Sequence, residues 1–385
     1  MQAKSRKYDW RKPFRVLFHS LFSSLNFVLV ALLIASAFSD LVSPMQNITF
    51  AYLGLAFPLL VIANVCFFVY WLFVHKWWWG FILTLTFVAC WKPIFRYCPF
   101  YPATVVATDD ETVIKLMSYN VMSFAYKDHS PQSPNKIIEY IAASGADVVC
   151  LQEYMVSTRP NLMSSKDVAA ALPMYPYIAE IIFSSHNNGG YKYGLAVLSK
   201  FPITRSRRIS FPSVYNGSSL HDINVRGRKL TVVNNHLESF KLTSEDRSQY
   251  SEIITNANFE HFESFRGSMQ QKLGQAFRVR SKQSETVVAE IRKANSYYTV
   301  ACGDLNDTPI SYSHKVFNDY MLDAYAESGF GPGISYNRNF FPFRIDHIFH
   351  TASIEASNCR VDRNIRLSDH YPIHCYIKLK VEGRR

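Results

Sequence analysis

Two long stretches without a formal charge constrain this chain more than any other feature. Val16–Phe38 and Phe50–Val74 contain no Lys, Arg, Asp or Glu and run 23 and 25 residues. About 20 apolar helical residues cross the hydrocarbon core of a bilayer, so both are predicted as transmembrane helices. Pro58 in the second is compatible, because neighbouring helices and water can satisfy a freed carbonyl at membrane depth. A cleavable signal peptide is excluded for the first. It is too long for an h-region, and a second long apolar segment follows it. A third run, Trp77–Trp91, reaches spanning length only if it continues through Lys92 to about Tyr97, with the lysine snorkelling to the head groups. Trp77, Trp78 and Trp79 suit an aromatic belt at its start.

The bases set the expected topology. Six precede the first segment, none lies in Ser39–Thr49, and Lys76 sits between the second and third runs. The positive-inside rule then puts the N-terminus in the cytoplasm and the first connection outside. Everything after Tyr97 is extracytoplasmic if the third run crosses, and cytoplasmic if it only lies in the interface; crossing is the expectation. The same bases account for much of the net charge of +11. Nine bases against two acids in Met1–Pro99 leave only +4 for Phe100–Arg385. That balance is no argument for nucleic-acid binding. The seven cysteines form no CxxC pair; Cys359 and Cys375 flank a loop and could pair in an oxidising compartment, with two free thiols as the expectation.

The expected organisation is a basic segment at 1–15, a membrane region at 16–98, a linker at 99–112 and a catalytic domain at 113–385. In that domain, apolar β-branched runs end in polar, chemically capable residues. Val113–Ser118 leads to Asn120, Asp147–Leu151 to Glu153, and Leu230–Asn234 to Asn235 and His236. Tyr297–Cys302 leads to Asp304, Ile345–Phe349 starts beside Asp346, and Tyr371–Leu379 follows Asp369 and His370. Their composition argues strands. Helical patterns at Asn135–Ala143 and from Ser244 to about Ala294, broken near Gly267 and Gly274, lie between them. Strands alternating with helices imply an α/β (α+β) layered domain.

The strongest chemical signal is Gly303-Asp304-Leu305-Asn306-Asp307. On an extended segment Asp304 and Asn306 would share a face, and could together position a water and a phosphate oxygen; an Asx turn closing a strand is the plainer explanation. Gly303 permits a close backbone approach. An acid beside an imidazole, as Asp346 and His370 would be, fixes a tautomer and raises basicity. Glu153 ends an apolar run, where a carboxylate calls for a metal or a cationic partner. The basic clusters Arg205/Arg207/Arg208, Arg226/Arg228/Lys229 and Arg278/Arg280/Lys282 read as solvated faces. Phe340–Phe343 reads as aromatic packing at a strand entry, with a dip into the bilayer as the second reading.

Together these motifs resemble the endonuclease/exonuclease/phosphatase superfamily. The match is carried by Ser118-Tyr119-Asn120-Val121, Leu151-Gln152-Glu153, Asn235-His236-Leu237, Gly303-Asp304-Leu305-Asn306-Asp307-Thr308-Pro309, Ile345-Asp346-His347-Ile348 and Ser368-Asp369-His370, in that order. The resemblance implies a four-layered α/β sandwich with two packed mixed sheets. It also implies hydrolysis of a phosphate ester with Mg²⁺ or Mn²⁺. In that scheme Glu153, Asn120 and Asp369 serve the metal, and Asp304 activates water. Asn306 holds the scissile phosphate together with Asn120 and His370, which Asp346 orients, while His236 lies beside the leaving group. The DNA-gripping arginine loops of nuclease members are not identified, so the substrate stays open between a lipid head group, a nucleic acid and an inositol phosphate. A catalytically inactive scaffold is the reading from a different class; retention of Glu153, Asp304 and His370 together argues against it. A transport subunit is disfavoured because His19 is the one ionisable side chain in the first two apolar segments.

Overall fold

The computed structural model describes residues 11–380 apart from 107–109, 111, 128, 131, 160–161, 187–189, 242–245, 247, 249–251, 253–261 and 339–341. Two helices, α1 (Arg11–Ala37) and α2 (Ile48–Phe73), are long and apolar enough to cross a membrane. They are joined by polar contacts: Trp71 Nε1 donates to Asn26 Oδ1 at 2.8 Å, and Ser36 Oγ donates to the Leu53 carbonyl at 2.6 Å. His19 lies 3.2 Å from the Tyr70 hydroxyl. The third apolar run breaks at Cys90 into α3 (Trp77–Ala89) and α4 (Trp91–Tyr97), bent by 64°. Arg96 of α4 pairs with Asp40 at 2.6 Å, which brings the end of the run back to the end of α1.

The rest of the chain builds two six-stranded mixed sheets. The first has the order β11-β12-β1-β2-β4-β3, from β1 (Val113–Asn120), β2 (Val148–Ser157), β3 (Tyr177–His186), β4 (Tyr191–Ser199), β11 (Ile354–Val361) and β12 (Ile373–Leu379). The second has the order β5-β6-β7-β8-β10-β9, from β5 (Ile203–Ile209), β6 (Gly217–Val225), β7 (Arg228–His236), β8 (Tyr298–Asp304), β9 (Leu322–Asp323) and β10 (Asp346–His350). Each sheet holds one parallel pair near its centre, β1 with β2 and β7 with β8. Residues such as Leu116, Val148, Val232 and Val300 fill the space between the sheets. Outside the first sheet pack α5 (Lys136–Ala143) and α6 (Ser165–Ala171); outside the second pack α7 (Phe262–Ala294) and α8 (Tyr312–Asn318), while α9 (Ala324–Ser328) sends Ala324 and Tyr325 into the core between the sheets. This is the layered sandwich expected from the sequence.

Two local expectations are corrected. The helix expected to break near Gly267 and Gly274 runs through both as α7; a Cβ on Gly274 would lie 2.8 Å from the Tyr52 hydroxyl, so this glycine serves helix packing. Arg280 is fully buried rather than solvated. It is 3.2 Å from Asp307, donates to the Glu238 carbonyl and lies over the rings of Phe240 and Phe277. The linker is fastened over its first residues: Tyr101 N donates to the Gly329 carbonyl at 2.9 Å, and Thr104 exchanges hydrogen bonds with Asn358. All seven cysteines are free, as expected for Cys359 and Cys375. Of the aromatic run, Phe340 and Phe341 lie outside the described residues.

Candidate functional site

The C-terminal ends of the two parallel pairs meet at one edge of the sandwich. Gln152 and Asn234 fasten the sheets there: Gln152 Nε2 donates to Asn234 Oδ1 at 2.6 Å, and Asn234 Nδ2 donates to the Leu151 carbonyl at 3.0 Å. A buried amide bridge of this kind holds a geometry that apolar contact alone leaves loose. Gly303 supplies the close approach anticipated for it, since a Cβ at its φ of +130° would fall 2.0 Å from the Asn235 carbonyl oxygen.

Glu153, His236, Asp304, Asn306, Asp369 and His370 line one cleft of about 280 Å³. Asn120 bridges two of its carboxylates, with Nδ2 3.2 Å from Glu153 Oε1 and 3.1 Å from Asp304 Oδ2. His236 Nε2 lies 3.7 Å from Glu153 and 3.8 Å from Asp304; His370 Nε2 lies 3.6 Å from Asp304. His370 Nδ1 is 2.8 Å from Asp346 Oδ2, the acid–imidazole contact that the sequence suggested. The structure therefore brings all eight candidate residues to one place.

Two of them arrive by routes the strand pattern did not foresee. β2 does not stop at Glu153 but continues to Ser157, with its register against β4 shifting between Leu151 and Tyr154. Glu153 sits in this bulge at φ +50°, a left-handed backbone that re-aims a side chain otherwise bound by strand alternation. Asp304 and Asn306 do not share an extended face. β8 ends at Asp304, whose Oδ1 accepts the Asn306 backbone N–H at 2.7 Å in an Asx turn, with Asn306 at φ +52°. The turn folds the amide back, so Asn306 Nδ2 donates to Asp304 Oδ2 and to the Leu237 carbonyl.

The environment separates the titrating groups. Burial pushes Asp304 up to about 6, while the neighbouring His370 and His236 pull it down and Asp346 adds to the rise. Burial alone would lower His370, but Asp346 and Asp304 outweigh it and hold the imidazolium well above the ordinary histidine range. His236 is lowered, chiefly by burial and against the pull of Asp304. Acid and base roles are separated in this way wherever neighbours drive pKa values apart.

The donor set fits a divalent cation. Several carboxylates meet at one buried edge, and Asp346 Oδ1 is buried without a hydrogen-bond partner; hard oxygen donors suit Mg²⁺ or Mn²⁺. The tightest group here is Asp304, Asp346 and His370, with ligand atoms within 4.8 Å of one another. Asp346 Oδ2 is already paired with the His370 ring nitrogen, whereas the Glu153 side chain is a quarter exposed and lines the cleft. Sequence reasoning missed Asn216, whose Nδ2 reaches His236 Nε2 at 3.4 Å and the Leu237 carbonyl at 2.9 Å; only its place before Gly217 at the start of β6 hinted at it. It also missed Leu55, a residue of the apolar helix α2 on the cleft wall.

The chain resembles known structures over this domain. It aligns with an endonuclease/exonuclease/phosphatase from Beutenbergia cavernae at 17% identity and a TM-score of 0.49, covering 70% of this chain and 72% of that one. A Bacteroides vulgatus endonuclease/exonuclease/phosphatase aligns at 17% identity and 0.48, over 70% and 99%. The catalytic domain of human nocturnin, with bound sulfate, aligns at 17% and 0.47, over 70% and 94%. No curated protein matches the sequence. Residues 19–97 match a family described as a domain of unknown function. Residues 117–370, about two thirds of the chain, match the Endonuclease/Exonuclease/phosphatase family. The chain belongs to that family and is a metal-dependent phosphoric ester hydrolase.

Proposed function

We propose that the protein is a membrane-anchored phosphoesterase using Mg²⁺ or Mn²⁺, whose substrate is a phosphate ester met at the membrane surface, a lipid head group before duplex DNA. The observation that carries this reading is the position of the cleft, which has the catalytic side chains on its floor and a membrane-helix residue, Leu55, in its wall.

Glu153, Asn120 and Asp369 would hold the cation, which supplies charge stabilisation at a phosphoryl oxygen. Asp304, with a pKa near neutrality and two imidazoles within 4 Å, orients the attacking water and takes its proton. Asn306, kept in place by the Asx turn, contacts the scissile phosphate. The His370 imidazolium, oriented by Asp346, stabilises the charge that develops on phosphorus-bound oxygen and takes part in proton transfer. His236 stands beside the leaving group.

Sidedness follows from the bases around the helices. With the bend of α3 and α4 acting as one broken span, the catalytic domain lies outside the cytoplasm. Alkaline phosphatase fused after Tyr97 should then be active and green fluorescent protein dark; the reverse pattern would put the domain in the cytoplasm.

The substrate reading is tested with vesicles of mixed phospholipid or sphingomyelin against plasmid DNA at equal phosphate concentration. Head-group release should exceed plasmid nicking. Efficient nicking without head-group release would overturn the lipid reading and favour a tethered nuclease.

A further inference from the structure

Beyond its polar floor the cleft has an apolar wall, built from Met269 and Leu273 of α7, Phe343, and Leu55 of α2. A membrane helix that lines a catalytic cleft is more than a tether, and its seating here is specific. Gly54, the neighbour of Leu55, is buried, and a Cβ on it would lie 2.3 Å from the Ile310 carbonyl oxygen. The Tyr52 hydroxyl donates to the Gln270 carbonyl at 2.6 Å and occupies the space that Gly274 leaves open. Ile310 lies four residues beyond Asn306, so α2 packs directly on the segment that carries the catalytic turn.

Below Leu55 the same face of α2 continues. Leu59 and Ile62 follow at spacings of four and seven, which place them on one side of a helix. Their side chains are 68% and 59% exposed. An apolar track therefore leads from the cleft wall along the helix toward the level of the bilayer core.

We infer that the cleft takes a phosphoester carrying a hydrocarbon chain. The phosphate rests on the polar floor, and the chain lies against Leu55, Met269, Leu273 and Phe343, reaching the site along Leu59 and Ile62. This inference rests on the phosphoesterase reading and deepens it with the wall that holds the hydrocarbon chain and the route by which the chain arrives.

The test uses the full chain in phosphatidylcholine nanodiscs with Mg²⁺. The probes are p-nitrophenyl phosphodiesters whose second ester group is methyl, butyl or octyl. Water oxygen bonds to phosphorus, its proton passes to the base, and the bond to the nitrophenol oxygen breaks with its electron pair, releasing nitrophenolate that is read by absorbance. Removing a methylene from water contributes roughly threefold to fourfold in affinity, so kcat/KM should be at least about tenfold higher for octyl than for methyl. Leu55→Ser and Leu273→Ser should each lower that octyl-to-methyl ratio about tenfold. Leu85→Ser, the same change at an exposed position of α3, should keep it. Partitioning into the disc is common to all the proteins, so a change in the ratio reports the wall. Hydrolysis of all three esters with a flat dependence on chain length, or a ratio unchanged in both wall variants, would overturn the inference and leave the phosphoesterase reading intact. No metal-dependent hydrolysis of any ester would overturn that reading, and this one with it.

Discussion

Two three-residue clusters of acids and imidazoles are drawn together around β10 of this protein, two acids with one imidazole in the first and one acid with two imidazoles in the second. Asp304, Asp346 and His370 form one; His314, Asp323 and His347 form the other, and each offers buried ligand atoms within 4.8 Å of one another. Asp346 and His347 are adjacent in sequence on β10, and strand alternation sends one toward each cluster. Their surroundings then diverge. In the second cluster His314 Nε2 is 3.0 Å from Asp323, whose other oxygen accepts the Tyr325 and Ala326 N–H groups, while His347 Nε2 reaches the Asp307 carbonyl at 2.9 Å. Rings seal it, with His314 4.9 Å from both His347 and Phe349. In the first cluster Asp304 also meets Asn120 and Asn306 and opens onto the cleft. A cluster becomes a site when further polar groups converge on reachable space; the same residues sealed behind a strand form a fastening.

This contrast predicts opposite consequences for similar substitutions. Asp304→Ala, His370→Ala and His236→Ala should each lower turnover by ~10²-fold or more, the usual scale for acid–base and charge-stabilising groups, with little change in Tm. Unchanged rates in all three would mean that the chemistry lies elsewhere. His314→Ala should instead cost about 2–4 kcal/mol of stability, through a cavity and an unpaired Asp323 carboxylate, while kcat per folded molecule stays within about twofold. A large loss of kcat with Tm preserved would show that the sealed cluster takes part in the chemistry.

A smaller effect follows from pH. Burial, opposed only in part by Asp323, lowers His314, and burial reinforced by His314 and Arg344 lowers His347. Both hold a proton less readily in the folded domain than in the unfolded chain, where they titrate at about 6.5. The unfolded state therefore binds more protons below that value. The stability from this pair should be complete above about pH 6.5 and decline as pH falls below it. Urea midpoints from pH 8 to 5 measure the decline, and it should be reduced in His314→Ala; an identical pH slope in that variant would count against the assignment.

The sequence carried much of this site because its residues stand at the ends of apolar strands. Asn120, His236, Asp304 and Asp346 each lie at the terminus of a strand whose β-branched composition shows through. Six strands did not show through. β3 to β6 and β11 carry mixed polar patterns, and β9 has only two residues, so no clean side-chain period marks them. Glu153 was identified by its chemistry but its aim was not, because a bulge is a property of the pairing with β4 and not of the local residues. Leu55 was illegible for a different reason. Inside an apolar helix no residue differs from its neighbours until the catalytic domain is seated against it.

The central claim is that Glu153 and its neighbours make the cleft a divalent-metal phosphoesterase site. It is tested most directly by following hydrolysis of bis(p-nitrophenyl) phosphate by the full chain with Mg²⁺, with EDTA, and with Mg²⁺ or Mn²⁺ restored, alongside Glu153→Gln. The account predicts activity that vanishes in EDTA, returns with metal, and in Glu153→Gln needs far more metal while the domain stays folded. Full activity in EDTA, or normal metal activation of Glu153→Gln, would contradict it.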